Sequence, residues 1–316
     1  MPRLSDLPAS LRGRPFSLAE ADALGVPRAR LRRSDVDAPV RGVRVPKPDR
    51  DHAPAGKANP RPWKRLRRAI IAHARIEYAR FAVGAAFSHL TAAVLHRFPL
   101  RTGRLDPSVL HVTTYADNAR RRRKGLQVHP MPRDERRVKV KGMMATHPVD
   151  TWCALSAILS IDELIVIGDH LVRRQHPDAT MDDLRRAVAR YAGRHGAKKL
   201  RLALELVRPR TDSPKETELR LTLVRGGLPE PAVNVPVRDG AGRHIKLGDL
   251  VYEDERVLVE YDGEQHRTDP AQYAKDARDL ERAQAAGWRT IRIRRDDRVP
   301  AAIVARVRAA LSAASA

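Results

Sequence analysis

A strand–turn–strand segment near the end of the chain constrains the fold most strongly. Residues 246–252 and 256–261 are rich in β-forming side chains, and adjacent apolar residues, such as Leu250-Val251 and Leu258-Val259, put apolar side chains on both faces of each strand. A strand that is apolar on both faces belongs to a sheet that is covered on both sides. The short polar turn at residues 254–255 makes the two strands antiparallel neighbours. The segment therefore predicts the middle of a buried sheet.

The elements around this hairpin predict an α/β domain with a mixed sheet. A helix is expected at residues 213–224, a strand at 232–237, a second helix at 271–286 and a strand at 288–293. Together with the hairpin they give the order α-β-β-β-α-β, and a terminal helix follows from Val299. This order is typical of a compact α/β unit, which we expect to occupy residues 209–316.

Three acidic residues are expected on one face of the hairpin. If the turn is residues 254–255, Asp249 lies directly opposite Glu260, and Asp262 follows two positions later on the same face. Opposed residues have Cβ atoms roughly 4.5–5.5 Å apart, and like charges there are destabilising. A hard divalent cation such as Mg²⁺ binds carboxylate oxygens and would remove this repulsion. The alternative is a wet strand end in another register, with the acids exposed.

The charge of the chain indicates a polyanionic partner. Its 316 residues include 61 Lys and Arg against 38 Asp and Glu, for a net charge of +23. Nucleic acid is the expected partner, although codon usage in a GC-rich genome would also enrich arginine. A carboxylate-bound metal in a basic protein favours phosphodiester hydrolysis.

Several other classes of protein are excluded or disfavoured. No apolar run approaches the ~20 residues of a membrane span. Cys153 is the single cysteine, which excludes a disulfide framework, and the twelve histidines show no zinc-ligand spacing with a nearby cysteine. We therefore expect a cytoplasmic protein with no membrane partner.

The N-terminal part predicts a DNA-binding region followed by a basic middle domain. In residues 1–50, a capping box at Ser17 starts a short helix, Gly25 ends it, a second short basic helix covers 28–33, and residues 40–45 alternate as in a wing. Residues 51–208 are expected to be basic and mainly helical with short strands. The residues expected to contact phosphates are Arg28, Arg30, Arg32, Arg33, Arg120, Arg121, Arg122, Arg123 and Lys124. A solvated hairpin tip is the alternative for residues 120–124.

The C-terminal region resembles the PD-(D/E)XK nucleases. Asp249 is followed after ten residues by the triplet Glu260-Tyr261-Asp262. Three stretches are similar to domains akin to very-short-patch-repair endonucleases: SPKETELR from Ser213, VEYDGEQH from Val259 and GWRTIR from Gly287. The resemblance covers about residues 212–297 and implies a restriction-endonuclease-like fold.

This resemblance also implies a set of catalytic residues. They are Glu216, Asp249, Glu260, Asp262 and His266. Glu216, Asp249 and Glu260 would hold Mg²⁺ or Mn²⁺, and His266 would lie beside the scissile phosphate and serve as a base. Asp262 stands where the family usually carries a lysine. The departure leaves two functions open, a metal-dependent DNA endonuclease and a domain that only binds.

The front of the chain resembles another family. The basic helix pair, the stretch Arg41-Gly42-Val43, SHLTAA from Ser88 and HVT from His111 are similar to antitoxins of the abortive-infection (AbiEi-like) type. Those antitoxins repress their own promoters and counteract a nucleotidyltransferase toxin. The resemblance implies a winged-helix transcriptional regulator that binds double-stranded DNA and a cognate toxin, without catalytic residues in this half.

Overall fold

The predicted α/β class is confirmed. The computed structural model describes residues 6–47, 61–81, 84–114, 123–262 and 270–314, with side chains from residue 275 onward in the last range. These residues form ten α-helices and three β-sheets. The chain divides into two compact units, residues 1–155 and 156–316. Within the described ranges, no helix is both long and apolar enough to cross a membrane.

The first unit begins with a small antiparallel sheet. Strands β1 (Phe16–Ser17), β2 (Val36–Asp37) and β3 (Val43–Pro46) pair in the order β1-β3-β2, with helix α1 (Leu18–Ala23) after β1. The predicted capping residue is confirmed, because the Ser17 side chain accepts a hydrogen bond from the Glu20 amide. Residues 43–45 of the segment predicted to alternate, 40–45, lie in strand β3 of this sheet.

The second predicted helix of this region is wrong. Residues 28–33 contain only one 3-10 turn, Arg30–Arg32. The Arg30 side chain is 4% exposed and its two terminal nitrogens bind both carboxylate oxygens of Asp35, at 3.0 and 2.7 Å. This inward contact and strand β2, which starts at Val36, leave no room for a further helical turn.

A five-stranded mixed sheet forms the rest of the first unit. Its strands lie in the order β6-β5-β4-β8-β7, with parallel pairing between β5 and β6 and between β4 and β8. The strands are β4 (Ala86–Phe87), β5 (Leu110–Thr114), β6 (Leu126–Pro130), β7 (Arg137–Val140) and β8 (Met143–Thr146). The helices of this part are α2 (Pro62–Tyr78), α3 (His89–Leu95) and α4 (Pro148–Leu155). The short strands expected within residues 51–208 are therefore present.

The second unit has the predicted order of elements. It begins with three helices: α5 (Ile161–Leu171), α6 (Met181–Arg190) and α7 (Ala197–Leu206). Then follow α8 (Pro214–Arg225), β9 (Ala232–Arg238), β10 (His244–Tyr252), β11 (Val257–Asp262), α9 (Pro270–Ala285), β12 (Arg289–Arg294) and α10 (Pro300–Ser312). The sheet order is β12-β11-β10-β9, with β12 parallel to β11 and the other pairs antiparallel.

Both faces of this sheet are covered. One face contributes Leu250, Val257 and Val259 to a core shared with α8 and α10. The other face contributes Val251 and Leu258 to a core with Ala283 of α9 and Trp288. The hairpin therefore lies in a sheet that is buried on both sides, as its apolar pattern predicts.

A buried ion pair joins α5 to α8. Asp169 and Arg220 both have side chains that are 0% exposed, and their charged atoms are 3.1 Å apart. Asp169 also accepts hydrogen bonds from the Thr217 hydroxyl and the Arg208 amide, at 2.8 and 2.7 Å. Helix α5, which lies in the range expected to belong to the middle domain, is thus part of the same unit as the C-terminal sheet.

Candidate functional site

The register of the hairpin brings two of the predicted acids to neighbouring positions. Leu250 lies opposite Val259, and Tyr252 lies opposite Val257. This is the predicted register, and it places Asp249 and Glu260 at the next position along the two strands. The Tyr261 amide donates a hydrogen bond of 3.1 Å to Asp249 Oδ2. The side chain of Asp249 thus reaches across to the backbone of β11.

The three carboxylates expected to bind metal interact electrostatically. Burial, together with the charges of Glu216 and Glu260, raises the pKa of Asp249 to about 7. The hydrogen bond from the Tyr261 amide and the positive charge of Lys246 act in the opposite direction. The structure therefore brings Glu216, Asp249 and Glu260 into one site, and Asp249 resists ionisation unless a positive charge arrives.

Glu216 reaches this site from the first turn of α8. The Ser213 side chain caps the helix by accepting a hydrogen bond from the Glu216 amide. The Glu216 side chain is 6% exposed, and its Oε2 accepts hydrogen bonds from the Asp212 amide at 2.9 Å and from Asn234 Nδ2 at 2.6 Å. These contacts fix the carboxylate against strand β9.

Glu260 has a basic partner that sequence reasoning missed. Lys246 Nζ forms an ion pair with Glu260 Oε1, and the side chains of Lys246 and Glu260 are only 17% and 13% exposed. A lysine beside a candidate metal-binding carboxylate supplies the positive charge that phosphate chemistry requires.

An irregularity in β9 and β10 explains how Lys246 reaches Glu260. Gly248 faces the α9 side of the sheet, since a Cβ there would lie 2.5 Å from Leu258 Cδ1, whereas Leu250 packs on the α8 side. Residues two apart on a regular strand share a face. Asn234, in the neighbouring strand, has φ of +47°. The strands therefore change face around Asn234, which places Lys246 on the same side as Leu258 and Glu260.

The donor set suits a hard divalent cation. Carboxylate oxygens are ligands that Mg²⁺ and Mn²⁺ accept. In the described structure the oxygens of Glu216, Asp249 and Glu260 are not all within 4.8 Å of one another. Asn234 holds Glu216 and Lys246 holds Glu260, so binding a shared cation requires these side chains to move.

Of the two remaining predicted catalytic residues, Asp262 lies two positions after Glu260 on the same strand. Asp262 is the last residue of β11 and pairs with Arg294 of β12, as Glu260 pairs with Arg292. His266 lies outside the described residues. Four of the five predicted catalytic residues are therefore described, and they lie on β10, β11 and the first turn of α8.

A basic groove runs along β12, the edge strand of the sheet. It has a volume of about 740 Å³. Its basic lining residues are Arg289, Arg292, Arg294 and Arg306. Arg292 and Arg294 are the backbone partners of Glu260 and Asp262 on the neighbouring strand, and no residue of the acidic cluster lines the groove itself. The alternation of arginine and isoleucine in residues 291–294 is the sequence signal that could have indicated it.

The predicted DNA-contacting residues have different environments. Arg28, Arg32, Arg33 and Lys124 are exposed, and Arg28 forms an ion pair with Asp22. Arg30 is buried in its bidentate pair with Asp35, which directs its guanidinium into the protein. Arg123 pairs with Glu77 at 3.3 Å. Residues 120–122 lie outside the described part of the chain.

Similar proteins carry no assigned function. The chain is 28% identical over 185 residues to two proteins of Mycobacterium tuberculosis, "Uncharacterized protein MT2308" of strain CDC 1551 / Oshkosh and "Uncharacterized protein Rv2248" of strain H37Rv. The similar segment covers 58% of this chain and 67% of each relative. No protein-family model matches the chain, and no solved structure matches it significantly.

Proposed function

We propose that this protein is a metal-dependent DNA endonuclease whose C-terminal unit has a restriction-endonuclease-like site. The observation that carries the proposal is the cluster of Glu216, Asp249 and Glu260 on a mixed sheet, where burial and neighbouring charge raise the pKa of Asp249 to about 7. Crowding of carboxylates in a shielded position is costly without a cation. A bound metal ion would offset this cost and make the acidic cluster functional.

The residues of the site have separate tasks in phosphodiester hydrolysis. Asp249 and Glu260 hold Mg²⁺ or Mn²⁺, and Glu216 completes the acidic set. When bound, the metal ion polarises the phosphate and lowers the pKa of the attacking water. Lys246 places positive charge beside Glu260 and stabilises the negative charge that develops on the phosphate oxygens. His266 accepts the proton of the attacking water.

Double-stranded DNA is the proposed substrate because a basic groove runs along β12, the strand next to the one that carries Glu260. The groove along β12 presents Arg292 and Arg294 next to Glu260 and Asp262. Phosphate contacts of this kind give affinity and position without reading sequence. Exposed Arg32, Arg33 and Lys124 of the first unit offer further phosphate contacts.

A second candidate function is a transcriptional regulator or antitoxin that binds DNA without cleaving it. One observation favours it: Asp262, the last residue of β11, stands where the nuclease family usually carries lysine. In addition, Lys246 already forms an ion pair with Glu260. In this function the C-terminal unit retains the fold and the basic groove but no catalysis. A cognate toxin would then be its protein partner.

Incubation with supercoiled plasmid tests the two functions against each other. The purified full chain is incubated with plasmid in Mg²⁺, in Mn²⁺ and in EDTA. Nicking that requires the metal and is abolished by EDTA supports the endonuclease. Retention of the plasmid on a gel without nicking supports the regulator. If the plasmid is neither nicked nor retained, the result contradicts DNA as the partner.

A further inference from the structure

Three histidines from separate elements converge in the first unit. His89 begins α3, His111 lies on β5, and His129 lies on the adjacent strand β6. One ring nitrogen of each lies within 4.8 Å of the others. The ring centroids of His89 and His129 are 3.7 Å apart, and those of His111 and His129 are 5.3 Å apart. In the sequence, His89, His111 and His129 are at least 18 positions apart. Their spacing therefore matches no short metal-binding motif.

The environment keeps these imidazoles neutral. Burial, together with the imidazoles of His129 and His111, lowers the pKa of His89 to about 3, and burial together with His129 lowers that of His111 to about 4. Burial also lowers the pKa of His129. His111 Nδ1 lies 3.1 Å from His129 Nε2, so one ring donates its N–H to the other. Neutral imidazole with a free lone pair is the form of histidine that binds metals.

Two features of the backbone and its surroundings point to a ligand at the cluster. The Thr113 hydroxyl is 1% exposed and has no hydrogen-bond partner among the described residues. Thr113 pairs with His129 in the ladder and shares a face of β5 with His111. His89 has φ of +45°, a strained value for a residue other than glycine, and strain of this kind often accompanies functional sites.

We propose that His89, His111 and His129 bind one divalent transition-metal ion of the zinc class. Imidazole ligands suit Zn²⁺, Co²⁺ and Ni²⁺, whereas Mg²⁺ prefers oxygen. Three histidines leave a fourth tetrahedral position open, as in zinc sites that keep a bound water. The unpartnered Thr113 hydroxyl provides a hydrogen-bonding group beside the cluster. This site is separate in chemistry and in sequence from the acidic cluster at residues 216–260.

Cobalt substitution provides a direct test on the full chain. The protein is stripped with a chelator, dialysed against Co²⁺, and examined for the visible absorption of tetrahedrally coordinated cobalt and for metal content per chain. We expect one tightly bound ion with visible absorption, displaced by Zn²⁺. His129→Gln is the first variant, because His129 is half-buried on the edge strand β6 and its replacement disturbs the core least. His111→Gln is the second.

The control is His73→Gln, which changes a histidine of the same unit whose Nδ1 lies 2.9 Å from the Pro107 carbonyl oxygen, outside the cluster. The proposal requires that His73→Gln keep the cobalt absorption. Both cluster variants should lose at least tenfold in affinity for Co²⁺. Circular dichroism should confirm that at least one of the two cluster variants remains folded. It is overturned if the wild type shows no such absorption, or if folded His129→Gln binds cobalt as the wild type does.

Discussion

Lys246 and Glu260 form an ion pair in the middle of the C-terminal sheet, where the side chains of both residues are largely shielded from water. Lys246 comes from β10, the strand that also carries Asp249. In the nuclease family that the sequence resembles, the usual lysine stands at the position of Asp262. The structure thus supplies a lysine to the acidic cluster from another strand.

Replacement of Lys246 tests whether this charge serves catalysis. If the charge stabilises the phosphate, Lys246→Met should lower the rate of metal-dependent nicking by about 10²-fold, the loss seen when one stabilising donor is removed. The control is Lys198→Met, which removes an exposed lysine of α7 and should leave the rate unchanged. A Lys246→Met protein that nicks DNA at the wild-type rate would show that the ion pair has only a structural role.

The raised pKa of Asp249 predicts a pH-dependent effect on stability. In the unfolded chain Asp249 ionises near pH 3.8, whereas in the folded protein it ionises near pH 7, so the folded state binds one more proton between these values. Wild-type stability should therefore fall as pH rises from about 4 to 7 and then level off. Asn at this position does not titrate and still accepts the Tyr261 hydrogen bond.

Denaturation of Asp249→Asn and wild type in EDTA measures this effect. The stability of the variant relative to wild type should rise by roughly 1–3 kcal/mol between pH 4 and pH 7 and stay constant above pH 7. An unchanged difference across this range would mean that Asp249 ionises normally in the folded protein.

The buried pair of Asp169 and Arg220 predicts a large loss of stability on truncation. Asp169→Ala leaves the Arg220 guanidinium in the core without one of its partners, which costs about 3–5 kcal/mol. A second ion pair, Asp162 with Arg225, also joins α5 to α8 but is half-exposed. Asp162→Ala should cost about 0–1 kcal/mol. Equal losses in urea denaturation of the two variants would contradict the importance assigned to burial.

The close approach of Gly248 predicts that a methyl group there disturbs the site. A Cβ at this position would lie 2.5 Å from Leu258 Cδ1 and 2.7 Å from Val251 Cγ2. Gly248→Ala should therefore destabilise the protein by about 1–3 kcal/mol and reduce nicking, because it displaces the strand between Lys246 and Asp249. Gly240→Ala is the matched control, since nothing lies within 4 Å of a Cβ there. If Gly248→Ala were as stable as the wild type, strand β10 would accommodate the methyl group without loss of stability.

The sequence predicted the hairpin correctly because local chemistry determines it. A short polar turn between two apolar strands sets the register, and the register then determines which residues oppose Asp249. Glu216 could not be placed from the hairpin, and it was expected only through the resemblance to nucleases. Its contacts with Asn234 and the Asp212 amide depend on how α8 packs against β9.

Lys246 was missed because regular alternation places it on the face opposite to Asp249. The irregularity around Asn234 reverses that relation, and no sequence rule marks it. Arg30 was expected to contact DNA as part of a second short basic helix, yet Asp35 holds it in the core. The three histidines come together only through tertiary structure, because His111 and His129 lie on the paired strands β5 and β6, and His89 begins helix α3.

The most direct measurement is metal-dependent nicking by the full chain and by Asp249→Asn in parallel. Both proteins are incubated with supercoiled plasmid in Mg²⁺ or Mn²⁺, and Asp254→Asn, which changes an exposed acid of the turn between β10 and β11, serves as the control. We predict nicking by wild type and by the control, inhibition by EDTA, and loss of at least 10²-fold in Asp249→Asn. Nicking by Asp249→Asn at the wild-type rate, or no metal-dependent nicking by any of the three proteins, would contradict the proposed endonuclease site.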